Sequence, residues 1–136
     1  MAEQKKKECS NNISSSYTRA RISTSPEELL ILAKHNDALV REIVASNEHA
    51  STSTINILVK DNNGNVRQAV AQNTNTSPMI LSKLAKDDLD MVRWHIARNT
   101  STPPATLDAL LKDENTDVRY AASRMIQIQK GIILGY

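Results

Sequence analysis

The chain has 136 residues and a net charge of +2, with no phenylalanine, one tryptophan and three tyrosines. We expect one domain whose core is built mainly from Leu, Ile, Val and Ala. The one cysteine, Cys9, excludes an intrachain disulfide and fits a reducing compartment. No apolar run is long enough for a secretory signal or a membrane span, so we expect a soluble cytoplasmic protein.

The first 23 residues are charged and then rich in Ser and Asn, and they show no helical period. We therefore predict a flexible polar leader over residues 1–23. A degenerate half-repeat from Tyr17 to Arg21 is the alternative for the end of this segment. The leader holds a run of lysines that begins at Lys5, and it carries the basic excess, which leaves the rest of the chain close to neutral. A nucleic-acid footprint over the whole domain is not expected.

A Val-Arg pair recurs every 26 residues in the rest of the chain, without insertion or deletion. The pairs begin at Val40, Val66, Val92 and Val118. They define four repeats over residues 24–49, 50–75, 76–101 and 102–127. A fixed period of this length is the sequence signature of a repeat architecture in which neighbouring units stack.

Each repeat predicts two short helices. The first helix begins with a hydroxyl cap and a proline, as at Ser25 before Pro26 and Ser77 before Pro78. Both helices place apolar residues at i, i+3 and i+4. In the first helices these are Leu29, Leu32, Ala33, Ile55, Leu58, Val59, Leu81, Leu84, Ala85, Leu107, Leu110 and Leu111. In the second they include each Val of the Val-Arg pairs. Short helices cannot bury such a face alone, so the sequence predicts an all-α solenoid of stacked repeats.

Two polar patterns keep the same register. An arginine follows each valine, and an aspartate stands six residues before three of the arginines. These residues are Arg41, Arg67, Arg93 and Arg119 with Asp61, Asp87 and Asp113. Since the acid recurs with the base, we interpret them as structural pairs rather than an anion-binding stripe. Asn47, Asn73 and Asn99 are interpreted as a ladder of helix caps, because Asn tolerates left-handed geometry.

The pattern changes after Arg124, where the second helix is predicted to continue to Lys130 and to end at Gly131. Residues 128–136 are too apolar for a free tail. They form either a cap over the last repeat or an association segment. Because the terminal repeats of an array must cover an open edge of the core, the cap is favoured. A further hypothesis is that the chain forms a homo-oligomer through the segment from Ile126 to Tyr136.

The candidate binding residues are those that vary beside this constant frame. One column on the second helices reads Glu42, Gln68, Trp94 and Tyr120, and the column four residues on reads Ser46, Gln72, Arg98 and Arg124. Trp94 with Arg98, and Tyr120 with Arg124, are therefore the same i, i+4 pair in adjacent repeats. Exposed Trp, Tyr and Arg are residues that interfaces favour, so we predict an aromatic and basic partner-binding patch. The alternative is that these side chains only cover the surface.

The repeat resembles the leucine-rich repeat variant, an all-helical bacterial repeat. The resemblance is carried by Pro78, Leu81, Leu84, Ala85, Lys86, Asp87, Val92, Arg93, Ala97, Asn99 and their counterparts 26 residues away. It implies alternating helices wound into a right-handed superhelix, with no common catalytic activity. A HEAT-like assignment is the alternative. One member of the family carries an iron–sulfur cluster on several cysteines, which Cys9 alone cannot hold, so no cofactor is expected.

No catalytic constellation emerges from the sequence. His35, His49 and His95 have no metal-ligand spacing, and Cys9 has no base beside it. We therefore predict a non-enzymatic scaffold that binds a protein or peptide, with no metal and no cofactor. A HEAT-like solenoid that binds nucleic acid is the alternative function, and an enzyme acting through Glu42 ranks last. The partner itself is not identified by the sequence.

Overall fold

The computed structural model describes residues 15–133, and all regular secondary structure in that range is helical. The all-α prediction is therefore confirmed for this part of the chain. The helices are α1 (15–22), α2 (Pro26–Leu32), α3 (Ala38–Ser46), α4 (Thr52–Leu58), α5 (Gly64–Gln72), α6 (Pro78–Leu84), α7 (Asp90–Arg98), α8 (Pro104–Leu110) and α9 (Thr116–Gln129). From α2 to α8, helices of 7 and 9 residues alternate, and α9 has 14.

Side-chain caps explain where most of these helices begin. The hydroxyls of Ser25, Ser51 and Ser77 accept a backbone N–H at the start of α2, α4 and α6. The side chains of Asp37, Asn63 and Asn115 do the same for α3, α5 and α9. The two exceptions are Pro103 before α8 and Leu89 before α7, which make no side-chain cap bond. Such caps satisfy N–H groups that a helix start leaves without a partner.

The core follows the sequence period. The fully buried positions include the repeated valines of the second helices and one leucine in each first helix. They are Val40, Val66, Val92 and Val118, with Leu29, Leu58, Leu81 and Leu107. A column of alanines, Ala45, Ala71 and Ala97, is also 0 % exposed. These small side chains allow the second helices to contact one another in series, α3 with α5, α5 with α7 and α7 with α9.

The predicted stripe on the first helices is only partly buried at its C-terminal edge. Leu111, the C-cap of α8, is 40 % exposed, whereas the equivalent C-cap Ala33 of α2 is 2 % exposed. Val59 and Ala85, at the same position of α4 and α6, are partly buried against the core. The position before the stripe is also buried in three repeats, at Thr54, Ile80 and Thr106.

The predicted leader over residues 1–23 is too long and is corrected at its end. Residues 15–22 form α1, and Ala20 is 0 % exposed in the core. The amide of Asn47 donates to the carbonyl oxygens of Ala20 and Ser23, both at 2.9 Å. Helix α1 thus packs against the first repeat. This arrangement is close to the half-repeat that the sequence offered as the alternative. Residues 1–14, including Cys9, lie outside the described residues.

The end of the array differs from the other repeats because Met125 occupies the Asn position. Met125 is 3 % exposed, and α9 continues past it to Gln129. Gly131, with φ 70°, follows the helix end. Ile126 and Ile128 pack against the core, as a cap would. Residues 134–136 lie outside the described range, and association through this segment stays a prediction.

Candidate functional site

The repeated arginines join neighbouring repeats. In Arg41, Arg67 and Arg93, Nε and Nη2 donate to both carboxylate oxygens of the aspartate 20 residues later, while Nη1 donates to backbone carbonyls of its own turn. The Nε–Oδ2 distances are 2.7 Å for Arg41–Asp61, 2.8 Å for Arg67–Asp87 and 2.8 Å for Arg93–Asp113. This bidentate geometry is the strong form of an ion pair. The partner is thus the aspartate of the following repeat.

Electrostatics in these pairs favours the charged forms. Burial by itself would raise the pKa of Asp61, but hydrogen bonds from Arg41 and from the N–H of Asn63 outweigh it and hold that pKa below its usual value. The pKa of Asp113 is lowered by the same balance, with Arg93 as its partner. An ion pair held this way is a structural element and has no spare charge for a ligand.

The two ends of this ladder are modified. In the first repeat His35 stands where the others have aspartate, and its Nδ1 accepts the N–H of Asp37 at 3.0 Å. In the last repeat Arg119 donates to the carbonyl of Asp113 at 2.7 Å and to the hydroxyl of Thr116 at 3.1 Å. The end residues therefore bond within their own turns.

The repeated asparagines also join repeats. Asn73 donates from Nδ2 to the carbonyl of Ala45 at 2.9 Å, and its Oδ1 accepts the N–H of Asn75 at 2.9 Å. Asn99 makes the equivalent bonds one repeat later, and Asn47 bonds α1. The expectation of left-handed geometry is wrong, because Asn73 has φ −70° and ψ 115°. These amides reach the preceding repeat from extended backbone, which any residue adopts.

The variable residues Trp94, Arg98 and Tyr120 line a cleft of about 420 Å³ between α7 and α9. We call it the α7/α9 cleft. Tyr120 is 65 % exposed, and Trp94 is half-buried against the core. The structure therefore brings three of the four predicted binding residues to one cavity. Arg124 is not among the residues that line it.

Trp94 is fixed by two neighbours on its own helix. The guanidinium carbon of Arg98 lies 4.5 Å from the centre of the indole ring, in a cation–π arrangement. The ring of His95 packs against the indole edge at 4.9 Å between centroids. Burial, and to a lesser degree the charge of Arg98, lowers the pKa of His95, so its imidazole is neutral at pH 7. The indole is thereby held in one orientation.

The cleft also holds acidic residues that the sequence reasoning did not include. Asp90 and Asp117 line it, together with Met91 and Asn115, whose amide donates to Asp90 at 3.0 Å. Asp90 lies four residues before Trp94, and Asp117 three before Tyr120. Extending the columns by one helical turn toward the N-terminus could have found both. The predicted aromatic and basic patch is therefore an aromatic cleft with two carboxylates and one arginine.

The position between α5 and α7 shows why the α7/α9 cleft is open. There His95 extends to Gln72, and their side-chain nitrogens lie 3.0 Å apart. The residue that follows His95 by 26 positions is Ala121, which is too small to reach across. The space that histidine fills between α5 and α7 is thus left empty between α7 and α9.

In comparisons with known proteins, no protein-family model, no curated protein and no solved structure matched this chain. Among residues 15–133, no three His, Cys, Asp or Glu side chains come together in a way that could hold a metal ion. Within the same range, no helix combines the length and the apolarity that a membrane crossing requires.

Proposed function

We propose that residues 24–127 form a right-handed α-solenoid of four two-helix repeats, of the leucine-rich repeat variant type. The alternating helix lengths and the serial contacts of α3, α5, α7 and α9 support this arrangement. The bonds that cross from one repeat to the next at a constant separation support it further. In this proposal the second helices line the concave face.

The function we propose is a non-enzymatic scaffold that binds a protein or peptide in the α7/α9 cleft. One observation carries this proposal: the residues that vary between repeats, rather than those that recur, line a cavity with two aromatic side chains. Its volume of about 420 Å³ lies within the usual range for ligand pockets. Aromatic side chains that project from a rigid element are the usual anchors of interfaces.

Binding of nucleic acid is the second candidate. Asp90 and Asp117 in the cleft would repel phosphates, and the repeated arginines are already paired with aspartates. Retention of the protein on DNA at low salt, with a steep salt dependence, would favour this candidate over the first.

The proposed function is tested by selecting a random displayed peptide library on the full chain. We expect peptides that bind the wild type and lose binding to Tyr120→Ala. Gln68→Ala is the matched control, because Gln68 holds the equivalent helical position two repeats earlier. Tyr120 is largely exposed, so its replacement should leave the fold intact. Peptides that bind all three proteins equally, or no peptides at all, would contradict the proposal.

A further inference from the structure

We propose that the α7/α9 cleft accepts an arginine side chain of a partner peptide, which lies against Trp94 and Tyr120 and pairs with Asp90 and Asp117. This inference rests on the proposed function and names the chemistry of the partner. It depends on the cleft's shape, on its aromatic walls and on its charge.

The charge of the cleft favours a cation. Its lining includes two carboxylates, Asp90 and Asp117, against one guanidinium, that of Arg98. The Trp94 ring does not neutralise Arg98, so the formal charge of the lining is −1, which favours a cation over an anion. Asp90 and Asp117 are both exposed, and the amide of Asn115 donates to Asp90. An incoming cation would therefore meet two accessible carboxylates, one of which already accepts a hydrogen bond.

The aromatic walls favour a guanidinium over an ammonium. A guanidinium is planar, stacks on aromatic faces and presents several N–H donors in a fixed plane that matches a carboxylate. The pairing of Arg98 with Trp94 at 4.5 Å shows that this wall accommodates a guanidinium. Because Arg98 already covers one face of the indole, an arginine from a partner would lie against Tyr120 and the remaining surface of Trp94, while its N–H groups donate to Asp90 and Asp117.

Equivalent positions in the neighbouring repeat lack this combination. The counterparts of Asp90, Met91 and Trp94 are Gly64, Asn65 and Gln68, none of which is charged or aromatic. Between α5 and α7 the space beside them is also occupied by the Gln72–His95 pair. The cationic preference therefore belongs to one inter-repeat position and not to the array as a whole.

The test uses the one tryptophan of the chain, because Trp94 gives a single indole N–H resonance in a ¹⁵N-labelled full-length protein. The probe is the capped peptide acetyl-Ala-Ala-Arg-Ala-Ala-amide. Its control carries citrulline, which has nearly the shape of arginine but no charge. We expect the arginine peptide to shift the indole resonance in a saturable manner. The citrulline peptide should bind at least about fivefold more weakly than the arginine peptide.

The double variant Asp90→Asn/Asp117→Asn should weaken binding of the arginine peptide by about the same factor. Its matched control, Asp88→Asn/Asp108→Asn, removes the same charge from exposed residues outside the cleft and should bind like the wild type. Circular dichroism verifies that each variant is folded.

Equal binding of the arginine and citrulline peptides would overturn the inference. So would an Asp90→Asn/Asp117→Asn variant that binds like its control, or an indole resonance that stays unshifted at about 20 mM peptide. Any of these results leaves the library selection free to return peptides without arginine that depend on Tyr120. Failure of the inference is therefore distinct from failure of the proposed function.

Discussion

Replacing Asn73 by alanine should be among the most damaging single changes in the array. The amide of Asn73, 9 % exposed, donates to the carbonyl of Ala45 across the repeat boundary at 2.9 Å, and its Oδ1 accepts the N–H of Asn75 at 2.9 Å. Alanine leaves the Ala45 oxygen buried without this donor. Orphaning such a group costs about 1–3 kcal/mol, and the lost bond to Asn75 adds about 1 kcal/mol.

The expected loss is therefore about 3 kcal/mol, a large part of the roughly 5–15 kcal/mol that stabilises a typical domain. Asn75 supplies a matched control, because its own amide also crosses to the preceding repeat, at 3.1 Å from the carbonyl of Glu48. That bond is exposed, so water can replace it, and Asn75→Ala should cost only about 0.5 kcal/mol.

Urea unfolding followed by circular dichroism measures both variants under the same conditions, with the slope of the transition compared to check that the unfolded states are equivalent. Equal losses of unfolding free energy in Asn73→Ala and Asn75→Ala would refute this prediction. Burial would then not determine how much a cross-repeat amide bond stabilises the fold.

Three further predictions concern other parts of the array. The pKa of Asp61 is lowered in the folded chain, so its pair with Arg41 stabilises the fold above about pH 4, and this stabilisation is lost as the pH falls through the folded-state pKa. The urea midpoint of Asp61→Asn should therefore depend less steeply on pH than that of the wild type. A Cβ on Gly64 would lie 2.3 Å from Cδ1 of Leu89, but Leu89 is a flexible side chain that is 40 % exposed and can move away, so Gly64→Ala should be neutral or slightly stabilising through its better helix propensity, and more stabilising in Leu89→Asn, as a double-mutant cycle would show. If the segment from Ile126 to Tyr136 only caps the array, light scattering should give a monomeric mass, whereas a dimer that Ile132→Ser dissociates would favour association.

The constant frame of the fold was predictable because it is set by a period. Every repeated valine is fully buried, and most helices begin where a Ser, Asp or Asn cap stands in the sequence. What the period could not predict is the structure where a repeat is incomplete. Helix α1 lies at an end of the array, where the period is interrupted, whereas the continuation of α9 past Met125 was predicted from the residues that follow Arg124 rather than from the period.

The binding site was only partly predictable for a related reason. Trp94, Arg98 and Tyr120 were found because they depart from their columns. Asp90 and Asp117 were missed because only the columns of Trp94 and Arg98 were considered, and both aspartates lie in the first helical turn, before those columns. Only the folded arrangement, in which Ala121 leaves space between α7 and α9, places these carboxylates beside the aromatic rings.

The most direct test of the account is to map where a selected peptide binds. The tightest peptide from the library is titrated into ¹⁵N-labelled full-length protein, and the chemical-shift changes are assigned along the chain. We predict that the largest changes fall on the Trp94 indole and on the backbone around Asp117 and Tyr120. Saturation of binding with these resonances unchanged, and with the shifts on other helices, would contradict it.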